Sequence, residues 1–307
     1  MVIVAGPTAS GKSALALALA RRLGGTVINA DAMQVYRELR IVTARPSAQD
    51  EAAAPHRLYG VKPAHEPANA AWWRAAAQDE MANAEFPILC GGTGMYFSAL
   101  VNGIADIPEP TPAAREESRR LIAERGPAAV HARLDAATAA RLKPADSQRV
   151  ARAYEVLLST GQGLTHWQAQ PTARLEGWTV RMILLDPPRE DLRAAVAQRF
   201  AAMLGQGAVD EVRAFLALGL SPDLPLMRAQ GVPELGAYLR GETTLEVATA
   251  RAVLASQQYT KRQGTWFRHQ RLVDNSALQI FTSRITDSAQ LSESLMGGLV
   301  NFIYTPR

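Results

Sequence analysis

Residues 2–23 read VIVAGPTASGKSALALALARRL, and this stretch decides the fold of the chain. The apolar run 2–5 predicts a buried strand, and Ser13 to Leu23 predict a helix that ends at a Gly-Gly pair. Between them stands the spacing G-x-x-x-x-G-K-[ST], which binds phosphate when a strand precedes it and a helix follows it. A glycine-containing turn that binds nothing is the alternative, and the strand–loop–helix context disfavours it.

This loop predicts a site for a di- or triphosphate group. Its two glycines allow successive backbone N–H groups to point at phosphate oxygens, beside the positive end of a helix. Lys12 supplies a charge to the terminal phosphate, and the Ser13 hydroxyl is placed to hold Mg²⁺. The spacing does not say which phosphate compound binds. The predicted binding residues are Gly6, Pro7, Thr8, Ala9, Ser10, Gly11, Lys12 and Ser13.

Three further apolar runs predict buried strands, at 26–29, 87–90 and 180–185, with helical stretches between them. Strands that alternate with helices predict a parallel sheet covered on both faces. We therefore predict an α/β fold of the P-loop NTPase type, a parallel sheet flanked by helices.

An all-helical domain is predicted as an insertion into this core. The segment 106–112 is rich in proline and predicts a linker, and Thr111 to about Gly161 is expected to be wholly helical. The predicted division places the P-loop core with its C-terminal helices at 1–105 and 178–307, and the inserted domain at 106–177.

Two of the predicted strands end in polar residues. Asp31 follows the second strand in NADAMQVY, and Thr93 follows the third in GGTGMY. Ligands of an open parallel sheet lie beyond the carboxyl ends of its strands, so both residues are expected beside the phosphate loop. Asp31 is either a Mg²⁺-side acid or a general base that acts on a second substrate. A helix cap is its purely structural alternative.

Arg199 interrupts an apolar helical stripe. At 100° per residue it falls about 20° to one side of Leu192, and Met203 falls about 20° to the other. An arginine in such a stripe either extends its charge out to solvent or meets an anion, and the pattern alone does not choose.

The composition is that of an ordinary soluble globular protein, with 48% hydrophobic and 20% charged residues and a net charge of +4. The single cysteine, Cys90, excludes an internal disulfide and a cysteine-based zinc site, which favours a reducing cytoplasm. No run of about eighteen apolar residues predicts a membrane span. We expect a cytoplasmic monomer without membrane contact.

The segment 247–273 carries five cations and no acidic residue. Tyr259, Trp266 and Phe267 are interleaved with those cations, a combination typical of RNA contacts, although a solvated helix face is the alternative. Arg149 and Arg152 form a second basic patch, one turn apart on the inserted domain.

Seven motifs together resemble the tRNA dimethylallyltransferase family, also called tRNA isopentenyltransferase. They are spread over residues 1 to about 272 in the order of the family. A phosphate loop alone is shared by hundreds of families, but this combination is specific. The motifs are GPTASGKS, NADAMQVYRELRIVTARP, APHRLYGV, GGTGMYFSAL, DSQRVARAYEVLLSTGQGLT, AQRFAAML and QYTKRQGTWFR.

The resemblance implies transfer of a dimethylallyl group from its diphosphate to the exocyclic amine of the adenine 3′ to the anticodon. It implies Mg²⁺ as cofactor and the tRNA anticodon stem-loop as partner, bound in part by the inserted domain. Asp31 would be the base, Thr93 would lie beside the target adenine, and Arg199 would contact the diphosphate. The residues implied in RNA contact are Asp31, Ala32, Met33, Gln34, Gln148, Arg149, Val150, Ala151, Arg152, Arg228, Lys261 and Arg262.

Two departures from the family pattern affect the implied RNA contacts. Ala32 stands where the family usually has serine, and Val232-Pro233 replaces a more usual Gly-Tyr. The residues alone leave three rival functions open. They are a prenyltransferase for free adenine nucleotides, a P-loop kinase for small molecules, and a nucleotide-gated RNA-binding protein without catalysis.

Overall fold

The computed structural model describes residues 1–170, 172–286 and 291–305. The chain forms two compact units. The first contains Met1–Val101 and Leu175–Arg307, and the second is Asn102–Arg174. The predicted insertion, 106–177, begins and ends a few residues later than this second unit.

A parallel six-stranded sheet forms the centre of the first unit, in the order β3-β2-β4-β1-β5-β6. Because β4 and β5 both pair with β1, the strand before the phosphate loop lies in the interior of the sheet. The predicted α/β fold is confirmed. The strands are β1 (Val2–Ala5), β2 (Thr26–Asn29), β3 (His56–Arg57), β4 (Pro87–Gly91), β5 (Arg181–Leu185) and β6 (Leu278–Phe281).

The two edge strands were not predicted, because neither is a continuous apolar run. β3 has two residues, and β6 reads LQIF with no fully buried position. The interior strands β1, β4 and β5 are buried at every residue, which is why their sequences predicted them. The sequence predicted only helices for the C-terminal part of the core, so it missed β6.

Helices cover both faces of the sheet. Alternate strand residues point to opposite faces, so Ile3 and Ile28 pack in one apolar cluster while Val2 and Val27 pack in the other. The helices of this unit are α1 (Lys12–Leu23), α2 (Ala48–Ala53), α3 (Ala70–Ala82), α4 (Gly94–Asn102), α9 (Arg189–Gly205), α10 (Ala208–Leu216), α11 (Val232–Leu239), α12 (Leu245–His269) and α13 (Glu293–Tyr304).

The second unit is helical but not one continuous helix. The chain bends at Gly126, whose φ of 75° is left-handed, immediately before Pro127, which cannot continue the hydrogen-bond ladder. Further breaks separate the later helices, so the segment expected to be wholly helical to about Gly161 contains three helices with turns between them. The helices are α5 (Pro112–His131), α6 (Ala136–Ala139), α7 (Ser147–Thr160) and α8 (Leu164–Gln168).

Side-chain caps begin the two long helices of the second unit. Thr111 accepts a hydrogen bond from the Ala114 N–H and is followed by proline, as predicted. Asp146 caps α7 by accepting from the Arg149 N–H. In the part of the chain that the structure describes, no helix is both long and apolar enough to span a bilayer.

Candidate functional site

The phosphate loop connects β1 to α1, as the spacing predicted. Gly11 has a left-handed φ of 96°, and a Cβ atom there would lie 2.0 Å from the carbonyl oxygen of Ile285. Lys12 Nζ lies 3.4 Å from the Pro7 carbonyl oxygen. Burial lowers the pKa of Lys12, Arg199 acts in the same direction, and Asp31 opposes both. The Lys12 ammonium therefore lies near the charges of Arg199 and Asp31, at the N-terminus of α1.

The turn after β2 presents Asp31. Asn29 Oδ1 accepts from the Asp31 N–H at 2.8 Å, and Asp31 Oδ1 accepts from the Met33 N–H at 2.9 Å. Asn29 Nδ2 also donates to the carbonyl oxygens of Asp31 and Leu58. A turn rather than a helix follows Asp31, so the helix-cap alternative is wrong. One carboxylate oxygen orders this turn, while no hydrogen bond to the other is seen among the described residues.

The glycine-rich turn after β4 is tied to the turn after β2. Thr93 Oγ1 accepts from the Ala32 N–H at 3.0 Å, and the Thr93 N–H donates to the Ala30 carbonyl at 3.1 Å. A Cβ on Gly91 would lie 2.1 Å from the Ala30 oxygen. The glycine permits this close approach, and it brings Thr93 beside Asp31.

Gln263, on α12, joins the phosphate loop to the same glycine-rich turn. Its Oε1 accepts from the Thr8 N–H at 2.9 Å, and its Nε2 donates to the Gly92 carbonyl at 3.0 Å. Gln263 is 5% exposed, so both contacts are made away from water. A Cβ on Gly92 would collide with Nε2, and one on Gly94 would collide with the Trp266 ring. The glycines of GGTG therefore make room for α12.

Arg199 lines two cavities. The first, which we call the loop cavity, has a volume of about 410 Å³. It is lined by Lys12 and Ser13, by residues of α9, and by the segment 284–286. The second, which we call the Asp31 cavity, has a volume of about 40 Å³ and contains Asp31, Thr8 and Tyr259 in its wall. The Arg199 side chain thus lies where the phosphate side and the carboxylate side of the site adjoin.

Apolar and uncharged polar side chains complete the wall of the Asp31 cavity. Met203 belongs to the apolar stripe of α9 that the sequence predicted, Phe200 is buried on the same helix, and Val42 comes from the loop after β2. Ser256 and Tyr259 come from α12. Such a lining suits a flat or apolar group held against a few polar atoms.

The charges of the site influence one another. Burial lowers the pKa of Arg199, and the nearby Asp31 carboxylate opposes the shift. Burial, reinforced by the Asp31 charge, raises the pKa of Tyr259 to about 12, while the neighbouring Thr93 hydroxyl counters the shift by hydrogen bonding. Burial also raises the pKa of the Cys90 thiol to about 11. Tyr259 and Cys90 are therefore uncharged near neutral pH.

The predicted RNA contacts lie in separate parts of the chain. Ala32, Met33 and Gln34 follow Asp31, and Gln34 Nε2 donates to the carbonyl oxygens of Thr43 and Ala44. Arg228, Lys261 and Arg262 are exposed in the first unit. Arg228 Nη2 lies 3.5 Å from the Asp223 carbonyl oxygen.

The second unit contributes the 148–152 group. Gln148 and Arg149 are exposed, and Ala151 and Arg152 are partly exposed. Val150 is fully buried in the small core that it forms with Leu121 and Tyr154. Its side chain is thus the exception in the implied RNA-contacting stretch, because the inward face of α7 carries it into the core.

The three aromatic residues of 247–273 differ in their exposure. Phe267 is 6% exposed and packs against Phe97. Trp266 lies beneath Gly94, and Tyr259 faces the Asp31 cavity. Of the three rings, only Phe267 is fully buried, while Trp266 is partly exposed and lines a surface pocket with Lys261 and Arg262. The RNA contact of this segment stays a prediction.

The chain matches two family descriptions and many known proteins. "IPP transferase" matches residues 34–270, and "Isopentenyl transferase" matches residues 1–62. The tRNA dimethylallyltransferase of Acidiphilium cryptum is 60% identical over 99% of this chain and 94% of its own length. That of Granulibacter bethesdensis is 56% identical over 98% and 97%. This chain belongs to the IPP transferase family.

Solved structures agree with this family assignment. The tRNA isopentenylpyrophosphate transferase of Bacillus halodurans has a TM-score of 0.69 and 29% identity, covering 98% of this chain and 96% of its own. A eukaryotic dimethylallyltransferase acting on tRNA has a TM-score of 0.80 at 22% identity, covering 100% and 80%. The second comparison concerns the fold alone. The family resemblance of the seven motifs is confirmed.

The transferase family implies a bound Mg²⁺, and the loop cavity offers one suitable protein ligand, the Ser13 hydroxyl. Among the described residues, no three His, Cys, Asp or Glu side chains group around a metal position. Mg²⁺ commonly binds through one or two protein groups together with substrate phosphates and water. Ser13, exposed in the first turn of α1 beside Lys12, fits that mode of binding.

Sequence reasoning did not single out Gln263 or the segment 284–286. Gln263 had a detectable signal, because the buried positions 256, 260, 263, 264 and 267 form one face of α12. A glutamine on a buried face must find hydrogen-bond partners. The segment 284–286 had no such signal, since only the fold brings it to the phosphate loop.

Proposed function

We propose that this protein transfers a dimethylallyl group from dimethylallyl diphosphate to the exocyclic amine of the adenine 3′ to the anticodon in tRNA. Family membership supports prenyl transfer, and the tRNA dimethylallyltransferases named above are similar over nearly their whole length. The single observation that carries the proposal is Arg199, which adjoins a cationic cavity on one side and a carboxylate-containing cavity on the other. Such an arrangement suits a donor diphosphate and an acceptor amine that meet at one point.

The diphosphate of the donor is assigned to the loop cavity. The backbone N–H groups of the loop, Lys12 and Arg199 would hold its oxygens. As the bond between the allylic carbon and the diphosphate oxygen breaks, negative charge grows on the leaving group, and these preformed donors stabilise it. A bound Mg²⁺, held by Ser13 and phosphate oxygens, would neutralise part of the same charge.

The acceptor adenine is assigned to the Asp31 cavity. Its exocyclic nitrogen forms the new bond to the allylic carbon, and Asp31 accepts the proton that this nitrogen loses. Thr93 and Tyr259 neighbour that carboxylate and would orient the base. The adenine must leave its stack to enter, which a single-stranded anticodon loop permits at low cost. Closing the cavity around it protects the allylic cation from water.

The basic residues named above are proposed to hold the tRNA backbone. Lys261 and Arg262 on α12 and Arg149 and Arg152 on α7 are cations with at least partial exposure. Cations on two units of one chain suit a long, folded polyanion better than a free nucleotide. This favours tRNA over the nucleotide acceptor considered above.

One assay tests the proposal against its rivals. The protein is incubated with Mg²⁺, dimethylallyl diphosphate and unmodified tRNA, and the digested RNA is examined for prenylated adenosine at the position 3′ to the anticodon. A parallel reaction contains ATP and free adenine nucleotides in place of the tRNA. Prenylated tRNA is the expected product. Phosphoryl transfer from ATP, prenylation of the nucleotides alone, or tRNA binding without modification would each overturn it.

A further inference from the structure

The segment 282–286 lies directly on the phosphate loop, although almost the whole chain separates the two in sequence. The Ile285 N–H donates to the Ser10 carbonyl at 3.2 Å, and Arg284 Nε donates to the Ala9 carbonyl at 3.0 Å. Gly11 lies so close to the Ile285 carbonyl that no side chain fits between them. This contact follows β6 and brings one more arginine to the loop cavity.

We infer that Arg284 is a diphosphate-binding residue, the third cation of the loop cavity beside Lys12 and Arg199. The inference deepens the proposed function and rests on it, because it assigns a further residue to the donor site. Arg284 is also a positioning residue for the loop, through its bond to Ala9. The charge of the side chain, rather than that bond, is what the inference concerns.

Charge balance carries the argument. Three cations line the loop cavity, and no described residue that lines it is acidic. The Asp31 carboxylate belongs to the wall of the other cavity. Three positive charges around one cavity repel one another, and a diphosphate ester with about three negative charges at neutral pH relieves that repulsion.

The geometry of the arginine points the same way. Its guanidinium has five N–H donors in a planar fork, and the bond to Ala9 uses only Nε. Arg284 forms no ion pair with any residue that the structure describes, whereas exposed arginines such as Arg22 and Arg213 do. The two terminal nitrogens match the paired oxygens of a phosphate group.

The test measures binding of inorganic diphosphate to the full-length protein by calorimetry, with and without Mg²⁺, for Arg284→Gln and Arg284→Lys. Arg22→Gln is the control, because it removes an arginine at the C-terminal end of α1, about 15 Å along the helix from Lys12. Thermal melting of each variant reports on folding. Arg284→Gln should weaken diphosphate binding roughly tenfold or more, Arg284→Lys should recover part of the loss, and Arg22→Gln should change nothing.

Two results would overturn the inference. One is diphosphate affinity in Arg284→Gln within twofold of the parent protein. The other is an equal loss in Arg284→Gln and Arg284→Lys together with lowered melting temperatures, which would mean that the arginine only holds the loop. Because this assay contains neither tRNA nor a prenyl group, its outcome does not depend on whether the protein transfers a prenyl group to tRNA. Absence of prenyl transfer with Arg284-dependent diphosphate binding would contradict the proposed function and leave the inference standing.

Discussion

The loop cavity and the Asp31 cavity share Arg199 but differ in size, charge and origin. The loop cavity is the larger, at about 410 Å³ against about 40 Å³. The charged residues described in the wall of the loop cavity are all cations. The wall of the Asp31 cavity contains a carboxylate, Asp31, as well as the shared Arg199. Two stretches of chain, 9–14 and 284–286, together with α9, form the first. The second draws on the phosphate loop, the turn after β2, α9, the residues at 229–230 and α12.

The difference in size has a functional consequence. The Asp31 cavity is the narrower of the two and has Phe200, Met203 and Tyr259 in its wall. On the proposed function, the loop cavity offers room for the diphosphate, whereas the wall of the Asp31 cavity has to adjust around the adenine. The walls that would move are the loop around Val42 and the residues Ala229 and Gln230. The helices α9 and α12 form much of the rest, and hydrogen bonds to Gln263 and Asn29 hold Thr8 and Asp31 in place.

Replacing Asp31 should have the largest effect on the reaction rate, and only the Asp31 cavity should be affected. If Asp31 is the general base, Asp31→Ala and Asp31→Asn should both slow the chemical step by roughly 100-fold or more. Asparagine keeps an oxygen that can accept from the Met33 N–H, so it preserves the turn and removes only the base. Single-turnover rates and donor affinity measure the two effects separately.

The paired substitutions also give the contrary outcomes. A slow alanine variant beside a normal asparagine variant would mean that Asp31 matters only for the turn. A loss of Mg²⁺-dependent donor binding with little change in the chemical step would make Asp31 a metal-side acid, which is the alternative that the sequence left open.

Arg199 should affect both cavities, because it lines both. Arg199→Ala should weaken binding of dimethylallyl diphosphate roughly 10- to 100-fold, the usual range for charge-assisted hydrogen bonds, and should slow the reaction as well. Arg193→Ala is the control, since Arg193 is exposed on the same helix and lines neither cavity. If donor affinity is unchanged in Arg199→Ala, then Arg199 does not bind the diphosphate, and it does not connect the functions of the two cavities.

Glu211 should act on the Asp31 cavity alone. Its carboxylate accepts four hydrogen bonds of 2.6–3.0 Å from the N–H groups of Arg40, Ile41 and Val42, and so holds the loop that carries Val42 and Thr43. In Glu211→Gln an amide N–H₂ would face backbone donors. We expect the KM for tRNA to rise several-fold while affinity for inorganic diphosphate stays constant.

Asp210→Asn provides the matched control for Glu211. Asp210 is the preceding residue on α10 and pairs with Arg213 on the surface, so its substitution removes a charge without touching the loop. Equal changes in the two variants, or a loss of diphosphate affinity in Glu211→Gln, would contradict the assignment of Glu211 to the acceptor side.

The same contrast explains what the sequence could predict. The phosphate loop is contiguous and lies between a buried strand and a helix, so its residues and fold followed from spacing. Asp31, Thr93 and Arg199 were found because strand ends and a helical stripe mark their positions. Glu211 and Arg284 could not be found this way, since each meets its target through tertiary contacts across long stretches of sequence.

The prediction of secondary structure from the sequence failed where local patterns are weak. β3 and β6 are edge strands with few buried residues, so no apolar run marked them. The break in α5 was visible in the pair Gly126-Pro127, which the overall helical composition of the segment outweighed. Composition placed Phe267 and Trp266 together among candidate RNA contacts, while the period of α12 buries Phe267 and leaves Trp266 partly exposed.

Tyr259 should give the smallest effect and test how finely the Asp31 cavity is tuned. Tyr259→Phe removes the hydroxyl beside Thr93 and keeps the ring that lines the cavity. One neutral hydrogen bond is at stake, so the rate at saturating donor should fall about 2- to 10-fold without change in diphosphate affinity. Burial and Asp31 raise the pKa of this phenol to about 12, and a raised pKa keeps it protonated at every pH well below that value. The ratio of parent to variant rates should therefore stay constant from pH 6 to about pH 10. A ratio that changes within that interval would mean that the phenol exchanges its proton during the reaction, and Tyr259 would then join Asp31 in the proton transfer instead of orienting the base.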